Sequence, residues 1–270
     1  MKDKVVIVTG ASSGIGLACV YEFASQGANI VMAARSIDAL KEVEKELAKK
    51  GIASIAVQTD VSIESDCKNL IDTAIKRFHK IDVLINNAGL SMRANFQQVD
   101  LSVLKKLMDV NFWGTVYCTK YALPYLLDTK GSVVGVSSIA GFIGLPGRTG
   151  YSASKFAMNG FLETVRTENL RTGLHVLIAA PGFTASNVRK AALTSDGAPQ
   201  GETPRKEEKM MSAEKVAYKM RKAIEKRKNI LILTFVEGKL TVFLNKWFPS
   251  FVSKMSYNMM LKEPDSPLKT

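Results

Sequence analysis

The sequence predicts an α/β protein built on a doubly wound sheet of seven parallel strands with helices on both faces. Short runs of β-branched and aliphatic residues alternate along the chain with amphipathic segments of helix length. Parallel neighbours in a sheet need a crossover of that length, so the alternation favours parallel pairing. With 46% hydrophobic and 23% charged residues among 270, the composition is typical of a globular protein.

Seven apolar runs predict the strands, at residues 5–8, 29–34, 52–58, 83–85, 132–136, 175–179 and 230–233. Helical spacing of apolar residues predicts the main helices, over 17–26, 37–50, 65–78, 101–126 and 151–171. The sequence contains no repeat and no linker, so we expect a single domain over residues 1–270. A segment at 184–212, rich in Gly, Pro and charge, is either a lid-like insertion or an open loop.

Charge and cysteine content restrict the class of protein. The net charge is +12, and residues 201–270 contribute +7 of it, with 15 Lys or Arg against 8 Asp or Glu. We interpret this excess as solvated lysines, with contact to anionic lipid or a phosphorylated ligand as alternatives. We do not expect nucleic-acid binding because only net charge supports it. Cys19, Cys67 and Cys118, with two histidines, show no metal-ligand spacing, so we expect no metal site and a cytoplasmic protein.

Membrane and export signals are weak in this sequence. The first apolar run begins at residue 5, which leaves no room for a signal peptide after Met1. No uncharged apolar segment approaches the ~18 residues needed to span a bilayer. The expectation is therefore a soluble protein, with contact at a membrane surface as an alternative.

A glycine-rich turn, from Thr9 to Gly16, links the first strand to the first helix. In a doubly wound, Rossmann-like sheet this turn is the favoured site for a pyrophosphate, because the helix N-terminus offers unpaired amides and a positive dipole end. Gly10, Gly14 and Gly16 allow a tight turn and close approach of a ligand. Their spacing differs from Gly-x-Gly-x-x-Gly, and a turn needed only for packing is the structural alternative.

Arg35 follows the second strand, where an NAD site would place an acidic residue for the ribose hydroxyls. A guanidinium is a permanently charged, forked donor that suits a 2′-phosphate. The sequence therefore favours NADP(H). A surface arginine without a ligand is the alternative.

Tyr151 and Lys155 are four residues apart, so on a helix they share one face. A phenol ionises near pH ~10, and a neighbouring cation favours the phenolate. The pair is therefore a candidate for proton transfer. Many such pairs are merely solvated helix faces, so this pair by itself is weak support.

Together these features resemble the short-chain dehydrogenase/reductase family over about residues 3 to 190. The turn at 9–16 resembles the family's Thr-Gly-x-x-x-Gly-x-Gly loop, Asn86-Asn87-Ala88-Gly89 matches its Asn-Asn-Ala-Gly segment, and Tyr151 with Lys155 matches its Tyr-x-x-x-Lys motif. The resemblance implies catalytic roles for Asn111, Ser138, Tyr151 and Lys155. It implies cofactor contacts from Gly10, Ser12, Ser13, Gly14, Ile15, Gly16, Arg35, Asp60, Val61, Asn87, Ala88, Gly89, Tyr151, Lys155, Pro181, Gly182, Thr184 and Ser186.

The resemblance also implies a role for each catalytic residue. Tyr151 would supply the proton, Ser138 would hold the substrate oxygen, and Lys155 would lower the pKa of Tyr151 and bind the nicotinamide ribose. Asn111 would position a water that links Lys155 to solvent. The structural alternatives are a helix cap or turn for Ser138 and satisfaction of buried backbone groups for Asn111. Thr184 and Ser186 depart from the family's pattern after Pro181, where many members have a hydrophobic residue and a threonine, and the hydroxyl is retained at Ser186.

An amphipathic extension over 239–270 has apolar residues at helical spacing, with one helix ending at Phe248 and another beginning at Pro249. The stripe either packs on the protein or a partner subunit, covers a lipophilic substrate, or makes peripheral membrane contact. The family usually pairs subunits through helices that correspond to 101–126 and 151–171, which implies a homodimer or homotetramer.

The function expected from these features is NADP(H)-dependent hydride transfer to or from a carbonyl or secondary alcohol of a mainly apolar substrate. This is similar to the family branch that acts on steroids and other lipophilic carbonyls. One alternative is a 3-oxoacyl thioester reductase, with Arg93 and Arg148 meeting an acidic carrier. A second is a cofactor-binding regulator or membrane-surface scaffold without turnover.

Overall fold

The structure, a computed structural model, describes residues 1–182, 184, 191–201 and 210–269. Within these residues seven strands form one sheet with parallel neighbours throughout. The strands are β1 (Val5–Thr9), β2 (Asn29–Ala34), β3 (Ser54–Gln58), β4 (Val83–Asn86), β5 (Ser132–Val136), β6 (His175–Ala180) and β7 (Ile230–Ile232). The predicted fold class is confirmed.

The direction of winding reverses between β1 and β4, because the strand order is β3-β2-β1-β4-β5-β6-β7. Ligands of doubly wound sheets bind outside the carboxyl ends of the strands at this point. Val8 of β1 is paired with Ile85 of β4. The turns that follow these two strands are therefore neighbours at the favoured ligand position.

Helices cover both faces of the sheet. They are α1 (Gly14–Ala24), α2 (Ile37–Lys49), α3 (Glu64–Phe78), α4 (Leu101–Leu107), α5 (Gly114–Asp128), α6 (Thr149–Glu168) and α7 (Ala213–Glu225). Alternate strand residues point to opposite faces, so Val6 and Val8 belong to the apolar cluster with α1, α2 and α7, whereas Val5 and Ile7 belong to the one with α3, α5 and α6. Both clusters are nearly free of solvent, which is the arrangement expected of a parallel sheet.

Two helical features differ from the sequence prediction. The helix expected over 101–126 contains a π-helical stretch, Met108–Trp113, between α4 and α5. Helix α7, which the sequence analysis did not delimit, packs against α1 with Val216 and Met220 fully buried. Its buried residues Val216, Met220 and Ile224 are spaced four apart, so the amphipathic pattern is present in the sequence.

The predicted extension forms two helices after a π-helical turn, Phe235–Leu240. They are α8 (Thr241–Trp247) and α9 (Pro249–Leu261), so the predicted break at Pro249 is confirmed. Among the described residues, no helix is long and apolar enough to cross a bilayer.

Part of the predicted insertion is described. Leu193 is buried and forms single β-bridges with Met92 and Pro199, so residues 191–201 lie against the loop after β4. Residues 185–190 and 202–209 fall outside the described residues. A lid function for the insertion stays a prediction.

Candidate active site

A cavity of about 730 Å³ lies at the carboxyl ends of the strands. Most of the predicted site residues line it, namely Gly10, Ser12, Ser13, Gly14, Ile15, Arg35, Asp60, Val61, Asn87, Ala88, Gly89, Ser138, Tyr151, Lys155, Pro181, Gly182 and Thr184. Gly16 and Asn111 are not among the lining residues. Ser186 falls outside the described residues.

The turn after β1 is locked against the turn after β4. The Thr9 hydroxyl accepts hydrogen bonds from the N–H groups of Asn87 and Ala88, both at 3.0 Å. The Asn87 amide donates in return to the carbonyls of Thr9 and Gly10, at 2.9 and 3.2 Å. A β-carbon at Gly10 would lie 2.9 Å from Cα of Ala88, and one at Gly16 would lie 2.1 Å from the Gly10 carbonyl oxygen. Packing of the protein against itself is therefore sufficient to require both glycines.

The N-terminus of α1 borders the cavity through Ser12, Ser13, Gly14 and Ile15. Gly14 has a φ of +54°, in the region that favours glycine. Ser13 is the N-cap, but its side chain makes no capping hydrogen bond. The N–H groups of a first helical turn have no acceptors within the helix, so this end offers donors and a positive dipole to an anion.

Arg35 and Asp60 stand near each other in the cavity wall, after β2 and β3 respectively, but differ in availability. The Arg35 side chain is exposed, and within the described part of the chain it forms no ion pair. One carboxylate oxygen of Asp60 accepts hydrogen bonds from the N–H and hydroxyl of Ser62, at 3.0 and 2.7 Å. The guanidinium is therefore open to a ligand, whereas Asp60 already stabilises its own loop.

Lys155 is buried on α6, one helical turn after Tyr151. Its Nζ donates to the carbonyl of Val136 at 2.9 Å and lies 5.9 Å from the centre of the Tyr151 ring. Burial lowers the pKa of Lys155 from 10.5 to about 8, since desolvation disfavours the ammonium. This buried amine can therefore exchange a proton near neutral pH.

The pKa of Tyr151 differs from the sequence expectation. Burial raises it above the ordinary value of 10.0, while a hydrogen bond with Ser138 and the charge of Arg148 act in the opposite direction. Lys155 is not among the groups that lower it. Tyr151 therefore keeps its proton at neutral pH in this structure.

Ser138 has the capping role that the sequence allowed as its structural alternative. Its hydroxyl oxygen accepts from the N–H of Ala140 at 3.2 Å and so caps a short 3₁₀ turn, Ile139–Gly141. The hydroxyl hydrogen remains for another acceptor, and Tyr151 is its neighbour in the cavity. The cap fixes the side chain without using its donor.

Asn111 sits in the π-helical stretch and is fully buried. Its Oδ1 accepts from the N–H of Leu90 at 2.8 Å, and its Nδ2 donates to the Leu90 carbonyl at 2.9 Å and to Ser154 Oγ at 2.8 Å. Ser154 donates onward to the carbonyl of Tyr151 at 2.8 Å. The side chain therefore joins the loop after β4 to the helix of Tyr151, and its amide hydrogens are both used.

The sequence of this chain is similar to those of known proteins. A family model described as short chain dehydrogenase matches residues 4–196, more than half of the chain. The chain belongs to the short-chain dehydrogenase/reductase family.

Two relatives and one solved structure are similar to this chain. The 11-beta-hydroxysteroid dehydrogenase 1A of Arabidopsis thaliana is 40% identical over 187 residues, which cover 68% of this chain and 53%, about half, of that protein. Dehydrogenase/reductase SDR family member 7B of Mus musculus is 32% identical over 271 residues, covering 98% of this chain and 84% of its own. The solved structure of a short-chain dehydrogenase from Streptomyces avermitilis has a TM-score of 0.79 and 26% identity, covering 95% of this chain and 96% of its own.

Residues 235–269, which we call the tail, form one wall of the cavity. The sequence alone did not establish this placement. The wall consists of side chains from the π-helical turn, α8, α9 and the segment after them, namely Val236, Glu237, Thr241, Met255, Ser256, Met259, Met260 and Glu263. Opposite them lie Ile143, Leu145 and Pro146 from the segment before α6. The apolar stripe of the tail was the signal in the sequence, and part of it faces this mainly apolar end.

Arg93 and Arg148, on which the thioester alternative relied, both make hydrogen bonds within the protein. The Arg93 guanidinium donates to the carbonyls of Asp265 and Pro264, at 2.7 and 2.8 Å, and lies 3.5 Å from a carboxylate oxygen of Glu263. Arg148 donates to the Ser91 hydroxyl at 2.8 Å inside the cavity. Arg93 therefore holds the segment after α9 against the rest of the protein.

Among the described residues there is no group of three or more His, Cys, Asp or Glu suited to a metal ion.

Proposed function

We propose that this chain is an NADP(H)-dependent oxidoreductase that interconverts a carbonyl and a secondary alcohol on a mainly apolar substrate. The observation that carries the proposal is the continuity of the cavity. It joins the N-terminus of α1 and Arg35 to Ser138, Tyr151 and Lys155, and then to an apolar wall from the tail. A phosphate-binding end, a proton-donating centre and an apolar end are the three parts that such a reaction needs.

The residues fit a nicotinamide dinucleotide at the first end. The N–H groups at the start of α1 suit a pyrophosphate, and exposed Arg35 suits a 2′-phosphate better than a bare ribose diol. Val61 and Ala88 offer apolar contact to flat rings, and Lys155 is positioned to donate to a ribose hydroxyl. When bound, the nicotinamide supplies or accepts the hydride.

Tyr151 is the proposed general acid in reduction and general base in oxidation. Reduction of a carbonyl consumes one hydride and one proton, and the developing alkoxide takes the proton from the phenol. The raised pKa of Tyr151 keeps that proton in place until the alkoxide forms. Ser138 donates a hydrogen bond to the same oxygen, and Lys155, with a pKa of about 8, returns a proton to the phenolate from solvent.

The test is a panel of aldehydes and ketones assayed with NADPH and with NADH. We expect turnover of apolar carbonyls, and a loss of about 10²- to 10⁴-fold in Tyr151→Phe. Binding of NADPH, followed by its fluorescence, should be nearly unchanged in that variant. Near-wild-type turnover in Tyr151→Phe would reject the assigned acid. NADPH binding without turnover of any carbonyl would favour the regulator or scaffold reading.

Reduction of 3-oxoacyl thioesters has less support. Its sequence argument rested on Arg93 and Arg148, and both guanidiniums are engaged within the protein. A carrier-linked thioester belongs in the same panel, where a kcat/KM above that of every free ketone would reverse this ranking.

We further propose a cytoplasmic homo-oligomer, dimer or tetramer, paired through α5 and α6. Trp113 and Phe156, on the segment before α5 and on α6, are 43% and 46% exposed, and Leu170 just after α6 is 74% exposed. Exposed apolar side chains of this size support contact with another subunit. Light scattering of the wild type and of Phe156→Glu tests the pairing, since the charge should shift the population toward monomer.

A further inference from the structure

The tail also presents a group of large apolar side chains to solvent. We name it the aromatic face. Its members are large apolar side chains that are 38% to 71% exposed, namely Phe235, Val236, Leu240, Phe243, Trp247, Phe248, Phe251, Tyr257 and Met259. Most soluble surfaces disperse such residues, so a contiguous stretch of chain that exposes nine of them marks an interaction surface.

The aromatic face is exposed although the helices that carry it are already packed. Val252 and Met260 of α9 are buried, and Met255 contacts the cluster that contains Ile139 and Ile143. The packing alternative from the sequence therefore holds for one side of the tail only. The other side needs a different partner.

The aromatic face carries mainly positive charge, with Glu237 as the one acidic residue between Phe235 and Met259 and Glu263 just beyond. Between residues 239 and 262 the chain has Lys239, Lys246, Lys254 and Lys262 and no Asp or Glu. A two-fold contact between two copies would bring this same lysine-bearing patch against itself, which like charges oppose. An anionic lipid surface instead attracts each lysine, while Trp and Phe rings enter the headgroup region.

The mouth of the cavity opens on the aromatic face. Val236 and Met259 both line the cavity, yet they are 64% and 43% exposed, so they stand at its rim. Both are also members of the aromatic face. Whatever covers this face therefore also borders the entrance to the apolar end of the cavity.

We propose that the aromatic face docks on an anionic membrane surface and that the cavity takes its apolar substrate directly from the lipid. The helices lie in the interface instead of crossing it, since none in the described part of the chain is able to span a bilayer. The docking step stands without the enzymatic activity. The loading step rests on the proposed function.

Docking is tested by flotation of the full chain with vesicles of phosphatidylcholine, with and without phosphatidylserine. We expect binding to the anionic vesicles, and a loss of about tenfold or more in Trp247→Ala/Phe251→Ala. These side chains are 62% and 59% exposed, so the variant should fold normally. Tyr218→Ala is the matched control, because Tyr218 is an exposed aromatic, 49%, on α7. Equal binding by wild type and the double variant would overturn the proposal.

The charge contribution is tested by Lys246→Glu/Lys254→Glu. This variant should lose about tenfold or more of its binding to anionic vesicles and little of any binding to neutral ones. Lys49→Glu/Lys76→Glu, on α2 and α3, makes the same change in net charge away from the tail and should bind as the wild type does. If both pairs weaken binding equally, net charge and not the aromatic face attracts the lipid, and the proposal fails.

Two further measurements separate the alternatives. In the first, the wild type is an oligomer that does not bind vesicles, and Trp247→Ala/Phe251→Ala is a monomer. This result would identify a second copy of the chain as the occupant of the aromatic face and would overturn membrane docking.

For loading, a long-chain ketone dissolved in anionic vesicles is compared with a short, water-soluble ketone. The double variant should lose turnover of the first only. Absence of turnover with either ketone would refute the proposed function while leaving the vesicle-binding result intact, and equal loss with both would refute loading from the lipid.

Discussion

The ammonium of Lys155 donates a hydrogen bond to the carbonyl of Val136 across 2.9 Å, which ties α6 to the carboxyl end of β5. Because the chain continues from Val136 to Ser138, this bond sets the distance between the two elements that carry Ser138 and Tyr151. The bond also holds a cation in a buried position. The consequences of that burial are measurable apart from any activity.

Lys155→Met should alter the pH dependence of stability. The folded-state pKa of about 8 is below the ordinary value of 10.5, so the unfolded chain holds this proton more tightly. The penalty is complete below about pH 8 and disappears as pH rises toward 10.5. The free energy of unfolding of wild type relative to Lys155→Met should therefore rise by up to about 3 kcal/mol over this interval. Urea denaturation at several pH values measures it, and a difference independent of pH would contradict the pKa.

Arg35→Asp should reverse the choice of cofactor. Removing a charge-assisted hydrogen bond to a phosphate and adding a like charge should lower kcat/KM for NADPH by about tenfold to a hundredfold, with little loss for NADH. Arg77→Asp, an exposed arginine of α3, is the control. An unchanged NADPH-to-NADH ratio in Arg35→Asp would mean that the guanidinium does not meet the 2′-phosphate.

Asn111→Ala should destabilise the fold itself. The substitution removes the acceptor of the Leu90 N–H and the donor to the Leu90 carbonyl, and buried groups left unpaired cost about 1–3 kcal/mol each. Asn169→Ala, which removes one bond to the Val165 carbonyl at the end of α6, should cost about 1 kcal/mol or less. Urea midpoints compare the two. A stability for Asn111→Ala equal to that of Asn169→Ala would argue against the linking role of Asn111.

Arg93→Met should release the segment after α9. Arg93 holds two backbone carbonyls and the Glu263 carboxylate there, and its side chain is only 7% exposed. We expect faster tryptic cleavage after Lys262 in the native protein, read by mass spectrometry. Arg227→Met, which removes donors to the carbonyls of Gly173 and Lys130 elsewhere, should leave cleavage at Lys262 unchanged. Wild-type protection in Arg93→Met would show that other contacts hold the segment.

The sheet was predictable from the sequence because each strand is buried on both faces and therefore reads as an unbroken apolar run, as in Val5 to Val8. Tyr151 and Lys155 were predictable from helical spacing, and Ser138 and Asn111 from a family pattern of fixed order. The sequence did not decide whether contacts within the protein require the turn at Gly10 and Gly16. The single-domain assignment and the roles of the site residues stay predictions.

Other features depend on contacts that local patterns do not encode. The π-helical stretch around Asn111 adds one residue to a turn without changing the apolar spacing noticeably. The hydrogen bond from Arg93 to the carbonyl of Asp265 joins residues 172 apart in the sequence, so no local sequence pattern predicts it. The raised pKa of Tyr151 depends on its burial in the folded protein, and an amphipathic stripe alone does not reveal which of its sides faces the cavity.

The two ends of the cavity come from different parts of the chain, the phosphate end and proton donors from residues 9–155 and much of the far wall from residues 236–263. Under the proposed function, substitutions in the tail change which molecule is admitted while Ser138, Tyr151 and Lys155 stay in place. Selectivity and chemistry would then be separately adjustable. An exchange of residues 235–269 between two family members is thus a direct way to transfer substrate preference from one to the other.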